Sequence, residues 1–356
     1  MVRRFVPGLD LAEAFYAKAV APLVDVPHAA CLLGEGSEVL GFDTARSMDH
    51  EWGPRAQIFV SEQHVDAVRA RVDDGLPSLF HGFATRWFAL ASGTEAHHVE
   101  VTTFDDWIVA TLGLDPRVGM DHADWLGLPQ QRLLNVTAGR VFRDDTGELS
   151  RVRKSVRWYP AEVWAWMMLS SWHLIGNTEP LRARCIETED TLGERLLTAR
   201  LCRLAMELAF LQERRYWPYD KWFGAAFNQL DAAGPLTPSL TTALASDGAV
   251  ATRAIGEVLT WLGHRHNDIG LGPAVTPRRG PFDVGINDAV RPYDVINAAD
   301  YIDALRATIT DPQLRSLVQV GGIDQLTHAD DAIVTHTDWP ARLTAQYREA
   351  LAKPAG

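Results

Sequence analysis

Between residues 36 and 52 the chain reads GSEVLGFDTARSMDHEW. Gly36 and Ser37 are followed, after a gap of eleven residues, by Asp49, His50, Glu51 and Trp52. Glycine lets a backbone approach a phosphate closely, and serine adds a hydroxyl and an N–H for its oxygens. If MDHEW is extended, Asp49 and Glu51 point to one face, because strand side chains alternate with period two. Two carboxylates about 6.6–7 Å apart along a strand can hold a hard divalent cation such as Mg²⁺, which takes oxygen ligands and keeps several waters. A third acid, Glu100, stands between Val99 and Val101 in AHHVEVTT (96–103). An acid buried in a strand needs a partner or a metal, since an unpaired buried charge is costly. His50 is either a hydrogen-bond donor beside such a site or a residue of the reverse face. Arg55, just past WGP, is near enough in sequence to steady a phosphate; a surface salt bridge is its other reading.

The elements that must position these residues can be read from hydrophobic periodicity. Residues 9–24 carry an amphipathic helical pattern. AACLLG (29–34), RAQIFVS (55–61) and AHHVEVTT read as strands, and helices follow from Glu62 and through FDDWIVATLG, closed by Gly113. This predicts an α+β region of short strands and helices over residues 1–150. Beyond it the signal turns helical. PAEVWAWMMLSSWHLIG opens with a proline at a first-turn position. In 186–212, Leu197, Leu201, Leu204, Leu208 and Leu211 form one apolar stripe. Further helices are expected over 221–230, 250–265, 298–308 and 338–352, with 267–285 a Gly- and Pro-rich loop. The expected second domain, 151–356, is therefore an all-α bundle, and 356 residues suffice for two domains.

Bulk properties narrow the function classes. A formal charge of −12 argues against a general nucleic-acid binder, whose affinity rests on Lys and Arg contacts to phosphate. Cys31, Cys185 and Cys202 are dispersed among apolar stretches, which points to buried free thiols rather than a disulfide framework or zinc site. No stretch of membrane-spanning length and no secretion signal is visible, so a cytoplasmic protein without a membrane partner is expected.

The apolar strand, Gly36-Ser37, the eleven-residue gap and Asp49-His50-Glu51-Trp52 together resemble the signature of the DNA polymerase β-like nucleotidyltransferase superfamily. More narrowly, GSEVLGFDTARSMDHEWGPR and the later ERRYWPYDKWFGAAF (213–227) resemble a largely uncharacterised bacterial nucleotidyltransferase-like family. Glu35 and His50 depart from the superfamily pattern, which has apolar residues at both places. The resemblance implies a nucleotidyltransferase fold, a small mixed sheet flanked by helices, paired with a helical domain as in aminoglycoside nucleotidyltransferases. It implies transfer of an NMP, AMP from ATP above all, to a hydroxyl of a small acceptor, with release of pyrophosphate. Two Mg²⁺ ions would be held by Asp49, Glu51 and Glu100, the last binding the second ion or serving as general base. Gly36, Ser37 and Arg55 would hold the triphosphate.

In the second domain, RRYWPYDKW fits a cleft wall. Pro218 would expose Tyr216, Trp217 and Tyr219 for stacking, and Arg214, Arg215 and Lys221 would reach phosphate; ordinary inter-helix packing is the plainer reading. Glu187, Asp190 and Glu194 share one face if a single helix spans them, which would suit a cationic acceptor. His264, His266 and Asp268 do not all turn to one face of a helix and are discounted as a metal set. Other functions stay open at this point: nucleotidylation of a protein or tRNA, a catalytically silent nucleotide-binding module, or a metal-dependent phosphohydrolase.

Overall fold

The structure, a computed structural model, describes residues 4–90, 93–287 and 289–353. It divides into two compact units. The first comprises residues 1–120, 130–157 and 334–338; the second comprises 121–129, 158–333 and 339–356. The long run of the second unit begins at 158, and each unit takes in short stretches from elsewhere in the sequence.

The first unit is built on a five-stranded mixed sheet. Its strands are β1 (Ala29–Leu32), β2 (Arg55–Phe59), β5 (Arg86–Ala89), β6 (Thr94–Thr102) and β7 (Arg140–Asp144), with a two-residue ladder of β3 (Leu79–Phe80) and β4 (Phe83–Ala84) beside it. The order across the sheet is β5-β6-β2-β1-β7. β1 runs antiparallel to β2 and β7, β5 antiparallel to β6, and β2 parallel to β6. That parallel pair requires a crossover, supplied by the Glu62–Gly75 helix. Alternation sets the two faces. Ala56 and Ile58 of β2 and Val99 and Val101 of β6 are buried. The core on that side takes Leu11 and Phe15 from the Gly8–Phe15 helix and Val68 and Val72 from the crossover helix. The opposite face holds Arg55, Gln57 and Phe59 on β2. At the carboxyl end of β2, Phe59 packs on Phe104 and Trp107 of the Phe104–Leu112 helix, ring centroids 5.6 and 5.2 Å apart. At the amino end of β2 that face is polar.

The second unit is helical but not all-α. Helices Ala161–Glu187, Thr191–Gln212, Asp220–Phe227, Ala233–Ala245, Gly248–Ile269 and Ala298–Arg306 surround buried Trp166 and Trp172. A hairpin of β8 (Arg279–Asp283) and β9 (Val290–Ile296) corrects the expected all-helical bundle. Buried Glu179 holds this hairpin: one carboxylate oxygen pairs with Arg279 and the other accepts the Ile296 N–H, each at 2.8 Å. The leucine stripe behaves as its period requires, with Leu201, Leu204, Leu208 and Leu211 buried. The helix that carries it begins at Thr191, not 186. Asp190 caps it by accepting the Gly193 N–H at 2.8 Å, and Glu189 takes a left-handed turn at φ 58°. Glu187, Asp190 and Glu194 consequently share no helix face. Glu187 pairs with Arg184, Asp190 is the cap, and Glu194 is buried against Arg182 at 2.6 Å.

The aromatic run is corrected too. Tyr216 and Trp217 are buried, Trp217 with 2% exposure and its ring 6.2 Å from Phe210, so they are core and not an open wall. Trp217→Ala is expected to destabilise by about 3–5 kcal/mol, as such truncations do, read as a lower midpoint in denaturant unfolding. His266 is buried beneath Tyr301 while His264 and Asp268 are exposed on the same helix, as their spacing predicts. Cys31, Cys185 and Cys202 are free, and burial pushes the Cys202 thiol up to about 11. Among the described residues no helix is long and apolar enough to cross a membrane.

Candidate functional site

The segment that opened the sequence analysis does not enter a strand where expected. Ala45–Asp49 is a 3₁₀ turn closed by a capping box, in which the Thr44 hydroxyl accepts the Arg46 N–H and the Ser47 hydroxyl accepts the Thr44 N–H. His50 is extended and Glu51 takes a left-handed conformation at φ 49°. Strand pairing waits until Arg55, because Pro54 has no N–H to give a ladder. Asp49 and Glu51 are therefore not neighbours on one strand face. Asp49 is exposed and bonded to His50 Nδ1 at 2.5 Å, and that imidazole holds its carboxyl below the usual carboxylate range. Glu51 turns the other way and its carboxylate accepts the Leu90 N–H.

What fixes this loop is Asp43, which the sequence reading did not single out. Its carboxylate accepts the Gly8 N–H at 2.7 Å and the Trp52 Nε1–H at 3.1 Å, so Trp52 is anchored in the core directly behind Glu51.

Glu51 lines a recess of about 310 Å³ together with Arg55, Gln57, Trp87, His98 and Glu100. The sheet assembles it. Across the parallel β2–β6 pair, Arg55 stands opposite His98 and Gln57 opposite Glu100. These four occupy the face that Ala56, Ile58, Val99 and Val101 turn away from. Gln57 ties three strands: its Oε1 accepts the Leu33 N–H at 2.9 Å and its Nε2 donates to Glu100 at 3.3 Å. The Glu100 side chain reaches solvent, but its carboxyl is partly desolvated by the recess wall. That desolvation raises its pKa above the ordinary glutamate value, against the opposing pull of the Gln57 hydrogen bond. The His98 ring stacks on Trp87, centroids 3.4 Å apart, and its Nε2 donates to the Trp87 carbonyl at 3.0 Å. Burial lowers the His98 pKa, which favours the neutral imidazole.

Arg55 joins the recess to the Gly-Ser turn. Its guanidinium donates to the Glu35 carbonyl at 2.9 Å and pairs with Glu38, which is 4% exposed. Its Nε is buried with no partner among the described residues. Gly36, at φ 137°, lies against this pair; a Cβ there would sit 2.5 Å from Arg55 Nη2 and 2.6 Å from Glu38 Oε2. Gly36→Ala is accordingly expected to cost about 1–3 kcal/mol, seen as a lowered melting temperature, and to displace Arg55. Ser37 follows in a turn whose hydroxyl meets Ser47 Oγ at 3.4 Å.

The expected ligand set thus divides. Glu51, Arg55 and Glu100 share the recess, and Asp49 is engaged by His50 outside its lining. Among the described residues no group of three or more His, Cys, Asp or Glu side chains is gathered to hold a metal ion, so the three carboxylates as they stand do not form a two-ion site. Tyr219 and Lys221 belong to the second unit, where Tyr219 precedes the Asp220–Phe227 helix and the Lys221 ammonium lies 5.2 Å from the Trp222 ring centroid. Gln57, Trp87 and His98 were missed. Period two along RAQIF and HHVEV, which pairs Arg55 with Gln57 and His98 with Glu100, is the signal that would have found two of them.

A family model described as a domain of unknown function, DUF4037, matches residues 125–223, under a third of the chain. The match includes Tyr219 and Lys221 and leaves every residue of the recess outside it. No curated protein and no solved structure matches the chain.

Proposed function

We propose that the first unit is a nucleotidyltransferase domain and that the protein transfers an NMP, from ATP or another NTP, to a hydroxyl of a small acceptor. The observation that carries this reading is the convergence of Glu51, Arg55 and Glu100, from stretches 36–55 and 96–103, on one recess at one end of a mixed sheet. The Gly36-Ser37 turn adjoins it through Arg55.

In this reaction the acceptor oxygen attacks the α-phosphorus, the bond from that phosphorus to the bridging oxygen breaks, and pyrophosphate departs. Arg55 supplies a fixed positive charge and donors suited to phosphate oxygens. Glu100 takes the hydroxyl proton, and a carboxyl with a raised pKa is the stronger base. Mg²⁺ accompanies the NTP in this proposal. Because the carboxylates do not converge as an ion site, no step is assigned to a protein-held metal. The −12 charge suits a neutral or cationic acceptor over a polyanion.

The test is to incubate the full chain with Mg²⁺, each labelled NTP and a panel of hydroxylated and amine-bearing acceptors, following pyrophosphate. Acceptor-dependent release that is lost in Glu100→Gln supports the reading. Label appearing on protein redirects it to protein nucleotidylation, and failure of every NTP to bind overturns it.

A further inference from the structure

The second unit contains an open polar pocket of about 290 Å³ whose wall includes Trp164, Gln212, Arg214, Asp231, Arg265 and Asp268. That size, just under the ~300–1,000 Å³ of drug-sized sites, suits a small molecule. Gln212 is 4% exposed, and its Nε2 donates to the Leu262 carbonyl at 2.9 Å. A carbonyl can only accept, so this bond fixes which end of the amide is nitrogen. Gln212 Oε1 is then a buried acceptor with no partner among the described residues. Such an atom calls for an N–H or O–H donor, since burying it alone leaves its desolvation uncompensated.

The charges around it are of both signs. Arg214, held at φ 53°, lays its guanidinium over Trp164, 4.2 Å from the ring centroid. Glu213 is already engaged by the N–H groups of Asp231 and Ala232 at 3.0 and 2.8 Å. Among the described residues no ion pair engages Arg214, Arg265, Asp231 or Asp268. Two arginines, two aspartates and Gln212 thus line the same small volume, Gln212 at its buried end and Arg214, Asp231 and Asp268 at its exposed rim.

We infer that this pocket is a binding site for a small zwitterion of the α-amino-acid class. The ammonium group is accepted by the aspartates and Gln212 Oε1, and the carboxylate is read by the arginines, whose planar forks match it bidentately. The inference is independent of the nucleotidyl-transfer reading, because no residue of the recess takes part.

The experiment is calorimetric titration of the full chain with each of the common L-amino acids, with acetate and methylamine as probes of each half alone. At least one amino acid is expected to bind saturably and raise the melting temperature. Asp268→Asn and Arg265→Gln, both at positions that reach solvent, are expected to weaken it by about tenfold or more, the factor for one charged hydrogen bond. Arg253→Gln, elsewhere on the Gly248–Ile269 helix, leaves binding unchanged. The inference is overturned if no amino acid binds at millimolar concentration, if both pocket variants bind as the parent does, or if acetate or methylamine alone binds as tightly.

Discussion

Replacing Glu100 by glutamine is expected to lower acceptor-dependent pyrophosphate release by about 10²–10⁴-fold, the range a positioned general base contributes. The substitution is close to isosteric, and an amide oxygen can still accept the Gln57 Nε2–H that now meets Glu100. Val99 and Val101 on either side face the core and are untouched. Stability should therefore stay within about 0.5 kcal/mol, as for surface changes away from special features. A base acts in the transition state, so the loss belongs in kcat, with KM for the NTP little altered. Parent-level kcat in the Glu100→Gln protein would remove Glu100 from the reaction. A purely structural role would instead appear as a lower melting temperature with activity restored on cooling.

The second large effect is on folding. Arg182 is 3% exposed and uses its whole fork: Nε to Thr198 Oγ1 at 2.7 Å, Nη1 to Thr252 Oγ1 at 2.8 Å and Nη2 to Glu194 at 2.6 Å. Glu194 also accepts the Gly248 N–H at 2.7 Å, so one carboxylate ties together the starts of two helices. Arg182→Met strands that carboxylate in the interior and should cost about 3–5 kcal/mol, the usual penalty for breaking a buried pair from one side. Arg182→Met with Glu194→Met should recover most of the loss, because replacing both ions with apolar groups is often neutral. Thr198 and Thr252 keep their own backbone acceptors, Glu194 O and Gly248 O. Urea unfolding of the parent, Arg182→Met, Glu194→Met and the double variant measures the coupling. A double variant no more stable than Arg182→Met would show that the backbone contacts, and not the ion pair, carry the energy.

The parts of this fold legible in the sequence were those governed by one local rule. RAQIF and HHVEV show period two and are strands; Leu201, Leu204, Leu208 and Leu211 follow steps of three and four and are buried, with Leu197 of the same stripe half-buried; Gly113 closes its helix at φ 78°. What escaped was set by competing local chemistry or by distant partners. The MDHEW segment could have been extended, but the Thr44–Ser47 capping box and Pro54 decide its conformation. Asp190 looked like one more acid on a long helix, yet an aspartate beside a glycine three positions on is also a cap. The hairpin at 279–296 hid in a Gly- and Pro-rich stretch because its docking depends on Glu179, a hundred residues or more earlier in the chain. In the recess, Glu51, Arg55 and Glu100 were singled out by type and spacing. Asp43 and Glu38 were not, because what they do is hold other residues, and such roles leave no periodic trace.

The bond from Gln57 to Glu100 spans 43 residues of chain and crosses a parallel pair of strands. Pairing at that range costs loop-closure entropy before the contact repays it. The recess is a long-range product of the fold: its floor exists only once β2 and β6 have zipped. Whatever occupies it recognises the finished sheet alone, and by mass action holds it closed, adding about 2.7 kcal/mol at a hundred times its dissociation constant. The occupant is in that sense the last fastener of the first unit, so thermal stability can report recess binding before any reaction has been observed.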